Sequence, residues 1–272
     1  MNLYVTVDTR WLVVIGLTAF ACQRSAESDR FELLFAGELT VVDMSHALSA
    51  NSPYWPNPNG NPFTRDTLSA HPSGAPSMAA YSTPEHNGTH LDAPIHSREG
   101  LRSVDELHPR DLLGAAVVID VETQSEDNSN YLLTKEDLQN WETTHGVIPP
   151  GAIVLLYTGW SKKWSDAEAY RNLNSQGQLQ FPGFSEDAAE FLVGERDIKG
   201  IGIDNMSVDY GLSTDFPVHR IVNGSGKFHL ENVANLHQLP PIGTYLIVAP
   251  IKIEGGSGGQ VRIFGVVPPP PT

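Results

Sequence analysis

Short apolar runs rich in β-branched residues recur along this chain, and between them the pattern switches to helical spacing. Leu39 to Asp43 (LTVVD), Ala115 to Val121 (AAVVIDV), Ala152 to Tyr157 (AIVLLY), Gly200 to Asp204 (GIGID), Tyr245 to Ile253 (YLIVAPIKI) and Val261 to Val267 read as strands. Thr134, with Asp137 three residues on, resembles a capping box that starts a helix, and Gly146 supplies its stop. A second helix starts at Ser185, where Glu186 and Asp187 stand favourably in the first turn. The alternation predicts a mixed α/β body with long loops. Its 272 residues suffice for one large domain or two small ones, and no internal repeat divides them.

The longest interruption, Ser49 to Thr67, holds four prolines and two Asn-Pro pairs. It is too polar and broken for core, so it is expected to wrap the surface or rim a site. At the C-terminus, Pro268 to Thr272 (PPPPT) cannot join a helix or a central strand. At the N-terminus, Arg10 precedes a run, Trp11 to Phe20, that is too short to span a bilayer but suits a secretory signal. Small residues at Ala19 and Ala21 fit a cleavage site. Cys22, the only cysteine, stands where a lipoprotein signal would place its acylated residue, although Ala19 and Phe20 are unusual there. The competing reading is a buried N-terminal strand or helix. Export to the periplasm or beyond is the expectation, with Cys22 either lipid-anchored or not. A lone cysteine allows no intramolecular disulfide. The net charge of −15 repels phosphate backbones and argues against a nucleic-acid partner.

Three of the ten histidines and one aspartate fall within eleven residues: His86, His90, Asp92 and His96. All four positions are even, so in an extended chain they project to one side. Gly88 and Pro94 argue against a helix here. Gly88 would allow a tight turn between His86 and His90, and Pro94 would bend the chain before His96. Imidazole nitrogens with a carboxylate suit a first-row divalent metal such as zinc or manganese. The plainer alternative is a polar surface loop rich in histidine.

The string HNGTHLDAPIH resembles the HxGTHxDxPxH signature of the cyclase-like metal-dependent hydrolases, a family that includes bacterial kynurenine formamidases and isatin hydrolases. The likeness extends from about Leu39 to Val267. It takes in YTGW (157–160), FPGFSEDAAEFL, GIGIDNMSVD and the C-terminal ENVANLHQLPPIGTYLIVAPIKIEGGSGGQVR. It implies a single α/β domain, 38–267, of the swivelling β/β/α type, with a central barrel-like β structure and flanking helices. The domain would follow a signal peptide (1–22) and a tether (23–37), and precede the proline-rich tail (268–272).

The resemblance also implies that His86, His90 and Asp92 hold one Zn²⁺ or Mn²⁺ ion. Asp92 would bridge to a second ion completed by His219 (in FPVHR) and Glu231 (in HLENVANL), giving one or two ions per chain. Isatin hydrolases are read as lacking the matching glutamate, so Glu231 places this chain nearer the two-metal members. Without the family, His219 alone would read as structural. His229 stands where the family usually has an apolar residue. It is either a neighbouring ligand on one strand face or a polar substitution. His96, the last histidine of the signature, looks like the family's proton-transfer residue, since an unperturbed imidazole has a pKa near neutrality.

Asp204, with Ser207 and Asp209, either orients the ligating histidines or caps a helix. Tyr54, Trp55 and the pair Tyr157/Trp160 either stack on an aromatic substrate or belong to core or interface. The implied activity is hydrolysis of an amide-type C–N bond in a small substrate, arylformamidase-like first, with ring-opening of a cyclic amide as the alternative. A non-catalytic exported metal-binding module is the competitor from another class, and it would have no need of His96. The family further implies a homodimer or homotetramer in which the 49–67 loop reaches a neighbour.

Overall fold

The computed structural model describes residues 32–268 apart from 57, 71–73 and 75. The expected signal (1–22), Cys22, the tether up to 31 and the tail beyond 268 lie outside the described residues. The chain separates into two units, Met1–Thr40 with Pro268–Thr272, and Val41–Val267. In the first, residues 32–35 of the expected tether form a helical turn. The second carries the architecture below.

Its strands are β1 (Thr40–Asp43), β2 (Thr64–Ser69), β3 (Met78–Ser82), β4 (His90–Asp92), β5 (Leu113–Asp120), β6 (Leu132–Leu133), β7 (Ile153–Tyr157), β8 (Gly183–Phe184), β9 (Gly200–Ile203), β10 (Phe228–Glu231), β11 (Tyr245–Pro250) and β12 (Gly258–Val267). The helices are α1 (Glu122–Asp127), α2 (Lys135–His145), α3 (Ala167–Arg171), α4 (Glu186–Arg196) and α5 (Pro217–Gly224). The main sheet runs β1-β12-β11-β5-β7-β9-β10-β4, and β12 also pairs with β4. That last pairing closes the ring from β12 round to β4 into a seven-stranded barrel, with β1 appended outside it. Three pairings of the barrel are parallel (β5–β7, β7–β9 and β9–β10) and the other four are antiparallel. Parallel neighbours need crossovers, and the helices supply them.

Side-chain alternation sorts these strands into two cores. Ala116 and Val118 of β5, Ile153, Leu155 and Tyr157 of β7, and Phe228 and Leu230 of β10 fill the barrel with Leu91 of β4. The intervening Val117, Ile119, Val154 and Leu156 face outward against Leu138 of α2 and Ala188, Phe191 and Leu192 of α4. Both faces of β7 are therefore buried, which is why AIVLLY reads as an unbroken apolar run. The expected caps are present: Thr134 and Asp137 form a reciprocal capping box on α2, and the Ser185 side chain accepts Ala188 N–H on α4.

Several expectations need correction at their edges. The strand expected to reach Ile253 stops at Pro250, where the chain bends towards the turn at 254–255, and the last strand begins at Gly258 rather than Val261. The segment 49–67 is not all loop, because its end enters β2, which pairs with β3. That hairpin is mostly exposed, so no apolar periodicity announces it. No helix among the described residues is long and apolar enough to cross a membrane.

Candidate metal centre

The barrel strands β4 and β10 build the site on their outward faces. Leu91 and Leu230 turn into the barrel. His90 and Asp92, and opposite them His229 and Glu231, therefore point to the other side. The antiparallel register pairs His229 with Asp92 and Glu231 with His90. Helix α5 brings His219 against this group. His86 and His96 arrive from irregular chain on either side of β4, so the four even-numbered residues do not lie on one extended strand. Gly88, at φ +71°, turns the backbone between His86 and His90. Pro94 opens a 3-10 turn that carries His96.

Asp92 lies at the centre. His86 Nδ1 is 2.6 Å from its Oδ1 and His90 Nε2 is 3.2 Å from the same oxygen. His219 Nε2 is 3.5 Å and His229 Nδ1 is 3.7 Å from Oδ2. Glu231 lies 3.4 Å from His90 Nε2 and 3.5 Å from His219 Nε2, and it also accepts Val208 N–H at 3.0 Å. Gly258, in register with Asp92 on β12, lets the His86 ring approach: a Cβ there would stand 2.6 Å from His86 Cε1. The His86 ring also contacts His96, with ring centroids 3.9 Å apart.

These donors fit a divalent cation. Among the described residues, both ring nitrogens of His229 are buried with no hydrogen-bond partner and His90 Nε2 with no well-aligned one, a costly arrangement for polar atoms unless an ion takes them. Asp92, His219, His229 and Glu231 offer ligand atoms within 4.8 Å of one another, and so do His86, Asp92 and His96. The electrostatics point the same way. Burial works against charge on His90, yet Asp92 and Glu231 outweigh it and hold its pKa at about 10. His219 is likewise raised to about 10, against burial, by Asp209, Asp92 and Glu231. Asp92 is held well below the carboxylate range: burial pushes it up, but the surrounding imidazoles prevail. The carboxylates thus create a strong local demand for positive charge.

The residues expected to orient the histidines divide. Asp209 does so, accepting His219 Nδ1 at 2.6 Å together with the backbone N–H groups of Val218 and His219. Asp204 does not. It is buried, accepts hydrogen bonds from Thr158 and Ser161, and ties the loop after β7 to the end of β9. Ser207 Oγ accepts Asp209 N–H and lines the cavity.

A cavity of about 490 Å³ opens over this centre, walled by Tyr54, Trp55, Met206 and Phe216. The 49–67 segment thus rims the site, as expected. Tyr157 and Trp160 do not. Tyr157 faces the barrel interior and donates its hydroxyl to Glu122, while the buried Trp160 donates to Tyr170 O at 2.7 Å.

Phe216 and Asn232 are among the site residues that are not legible in the sequence. Phe216 adopts φ +49° and ψ +57° immediately before Pro217, a strained conformation for a bulky side chain, and turns its ring towards Trp55 and His219. Asn232, at φ +54°, donates to Gly88 O and accepts Tyr170 O–H, locking the turn between His86 and His90. The only signal for either was local: a proline after Phe216, and the tolerance of asparagine for left-handed backbone.

Comparison with known proteins places the chain in a family. The Cyclase family model ("Putative cyclase") matches residues 42–210. The isatin hydrolase of Roseibium aggregatum is 33% identical, covering 90% of this chain and 98% of the relative. The kynurenine formamidase of Salinibacter ruber is 25% identical, covering 82% of this chain and 96% of the relative. The solved structure of isatin hydrolase A from Ralstonia solanacearum superposes with a TM-score of 0.82 at 35% identity, covering 97% of this chain and all of the other. With the family model spanning β4 and its histidines and a relative matching along nearly the whole length, this chain belongs to the cyclase family.

Proposed function

We propose that the chain is a metal-dependent hydrolase that cleaves an amide-type C–N bond, not a peptide bond, in a small aromatic substrate. The observation that carries this reading is a buried cluster of imidazoles and two carboxylates at the base of a cavity walled by aromatic rings. His86, His90, Asp92, His219 and Glu231 would hold Zn²⁺ or Mn²⁺, one or two ions per chain. Such an ion, when bound, polarises a carbonyl and acidifies water. The protein's part is positioning and proton transfer. Asp209 presents His219 Nε2 to the centre, and Ser257 Oγ, 2.9 Å from His86 Nε2, does the like for His86. Trp55 and Phe216 flank a planar substrate ring. Burial lowers the His96 pKa to about 4, well below the near-neutral value of a free imidazole, so the ring, beside His86 and open to the cavity, is neutral: it takes a proton from the attacking water and passes it to the leaving nitrogen.

An N-formyl aryl amine is the first substrate class, in line with the formamidase relative. Ring-opening of a cyclic aryl amide is the second reading, favoured by the higher identity to isatin hydrolases, 33% and 35%. The test is metal analysis of the purified chain, then assay against an aryl formamide and isatin with Zn²⁺ or Mn²⁺ restored. Turnover of one substrate names the class. Bound metal without turnover of either supports a non-catalytic metal-binding module, and absence of bound metal refutes the reading. We also propose that the chain is exported, with Cys22 the candidate for lipidation, and assembles as a homodimer or homotetramer. The mass of the mature chain and its solution molecular weight test these two points.

A further inference from the structure

The buried side of the centre contains a histidine that the hydrolytic reading does not use. His229 lies on β10 between Phe228 and Leu230, which fill the barrel, so its ring turns outward beside Glu231. It is completely buried, stands edge-on to the His219 ring at 4.7 Å between centroids, and has Nδ1 3.7 Å from Asp92 Oδ2. Neither of its nitrogens has a hydrogen-bond partner among the described residues. Space-filling alone does not call for this side chain, because an aliphatic residue would fill the same volume without stranding two polar atoms.

We propose that His229 is a metal ligand which, with Asp92, His219 and Glu231, completes a cation site made entirely of protein groups. The inference rests on the reading of this cluster as a metal centre. All four residues are at most 7% exposed, and their donor atoms lie within 4.8 Å of one another. Two imidazoles and two carboxylates are a donor set for a first-row divalent ion, and four protein ligands make a closed site rather than one with a position left for substrate. The other ion of the proposed function, on His86 and His90, shares only Asp92 with it, and His86 is partly exposed on the cavity. The chain therefore carries a retained inner ion behind an exchangeable outer one.

The test uses the full chain stripped with chelator and titrated with Co²⁺, read by visible absorbance and by metal analysis. The wild type is expected to bind two equivalents, one of them slow to leave on renewed chelation. In His229→Leu the slow equivalent should bind at least ~10-fold more weakly, with the melting curve of the metal-free protein preserved. His229→Gln provides the same comparison if the leucine variant fails to fold. Unchanged stoichiometry, affinity and release in a folded variant overturn the assignment of His229 while leaving the metal centre intact. A wild-type chain that binds no Co²⁺ overturns the underlying reading and the assignment with it.

Discussion

Replacing Asp209 by asparagine separates the two tasks of one carboxylate. Oδ1 accepts Val218 N–H at 2.9 Å, and Oδ2 accepts His219 N–H at 3.1 Å and lies 2.6 Å from His219 Nδ1. The two backbone bonds satisfy amides in the first turn of α5, where a helix leaves N–H groups unpaired. The third fixes the imidazole so that Nε2 faces Asp92 and Glu231. Asparagine keeps the size but has one acceptor oxygen instead of two. Whichever way the amide lies, its NH₂ meets donors that needed an acceptor. The less costly orientation strands one buried donor, Val218 N–H, so the variant should lose about 1–3 kcal/mol of stability. Loosening the hydrogen bond behind a metal-binding histidine typically weakens the metal by ~10–100-fold. Urea unfolding of the metal-free protein measures the first effect, and a Co²⁺ titration of the folded variant measures the second. A variant that folds with wild-type stability, or binds Co²⁺ as tightly as the wild type, would show that Asp209 does not hold His219 in the way described.

His96→Ala should lower hydrolysis by ~10²–10⁴-fold while leaving metal content intact, and a loss of metal instead would make His96 a ligand rather than a proton carrier. Gly258→Ala places a methyl 2.5 Å from Leu91 O and 2.6 Å from His86 Cε1. The seam between β4 and β12 must open, costing about 1–3 kcal/mol in a thermal melt, and an unshifted melt would mean that the seam is already loose. His46 stacks on Trp164 at 4.0 Å, and burial lowers its pKa to about 4 although Asp43 opposes this. The unfolded chain therefore binds this proton more readily below pH ~6.5, so the contribution of neutral His46 is complete above that pH and is lost as the pH falls towards 4. His46→Phe should flatten part of the acid limb of stability against pH, and an identical limb in the variant would remove His46 from that account.

How much of this could be read from the chain depends on whether the signal is local. Each β5, β7 and β9 run carries its own apolar pattern, and the α2 and α4 caps need only a few neighbouring residues, so these elements were legible without partners. The HNGTHLDAPIH segment is legible for the same reason: its candidate ligands lie on one short piece of chain, and Gly88 and Pro94 state where it bends. The β2–β3 hairpin escaped notice because its ladder is formed over exposed side chains. An aromatic residue looks the same in sequence whether it faces a core or a substrate, so only the structure assigns Tyr157 and Trp160 to the core.

The sequence by itself determined the α/β class, the helix starts and the nucleus of the candidate metal centre, since these rest on short-range periodicity and on donors close in the chain. Closure of the barrel by β4 and β12, and the register that sets His229 against Asp92 and Glu231 against His90, were decided only in three dimensions. So were the outward face that β10 gives its polar residues and the delivery of His219 by α5 under the hold of Asp209. Pairing and burial are properties of segments far apart in the chain, and no local pattern records which partner a strand will meet or which of its faces that partner will cover.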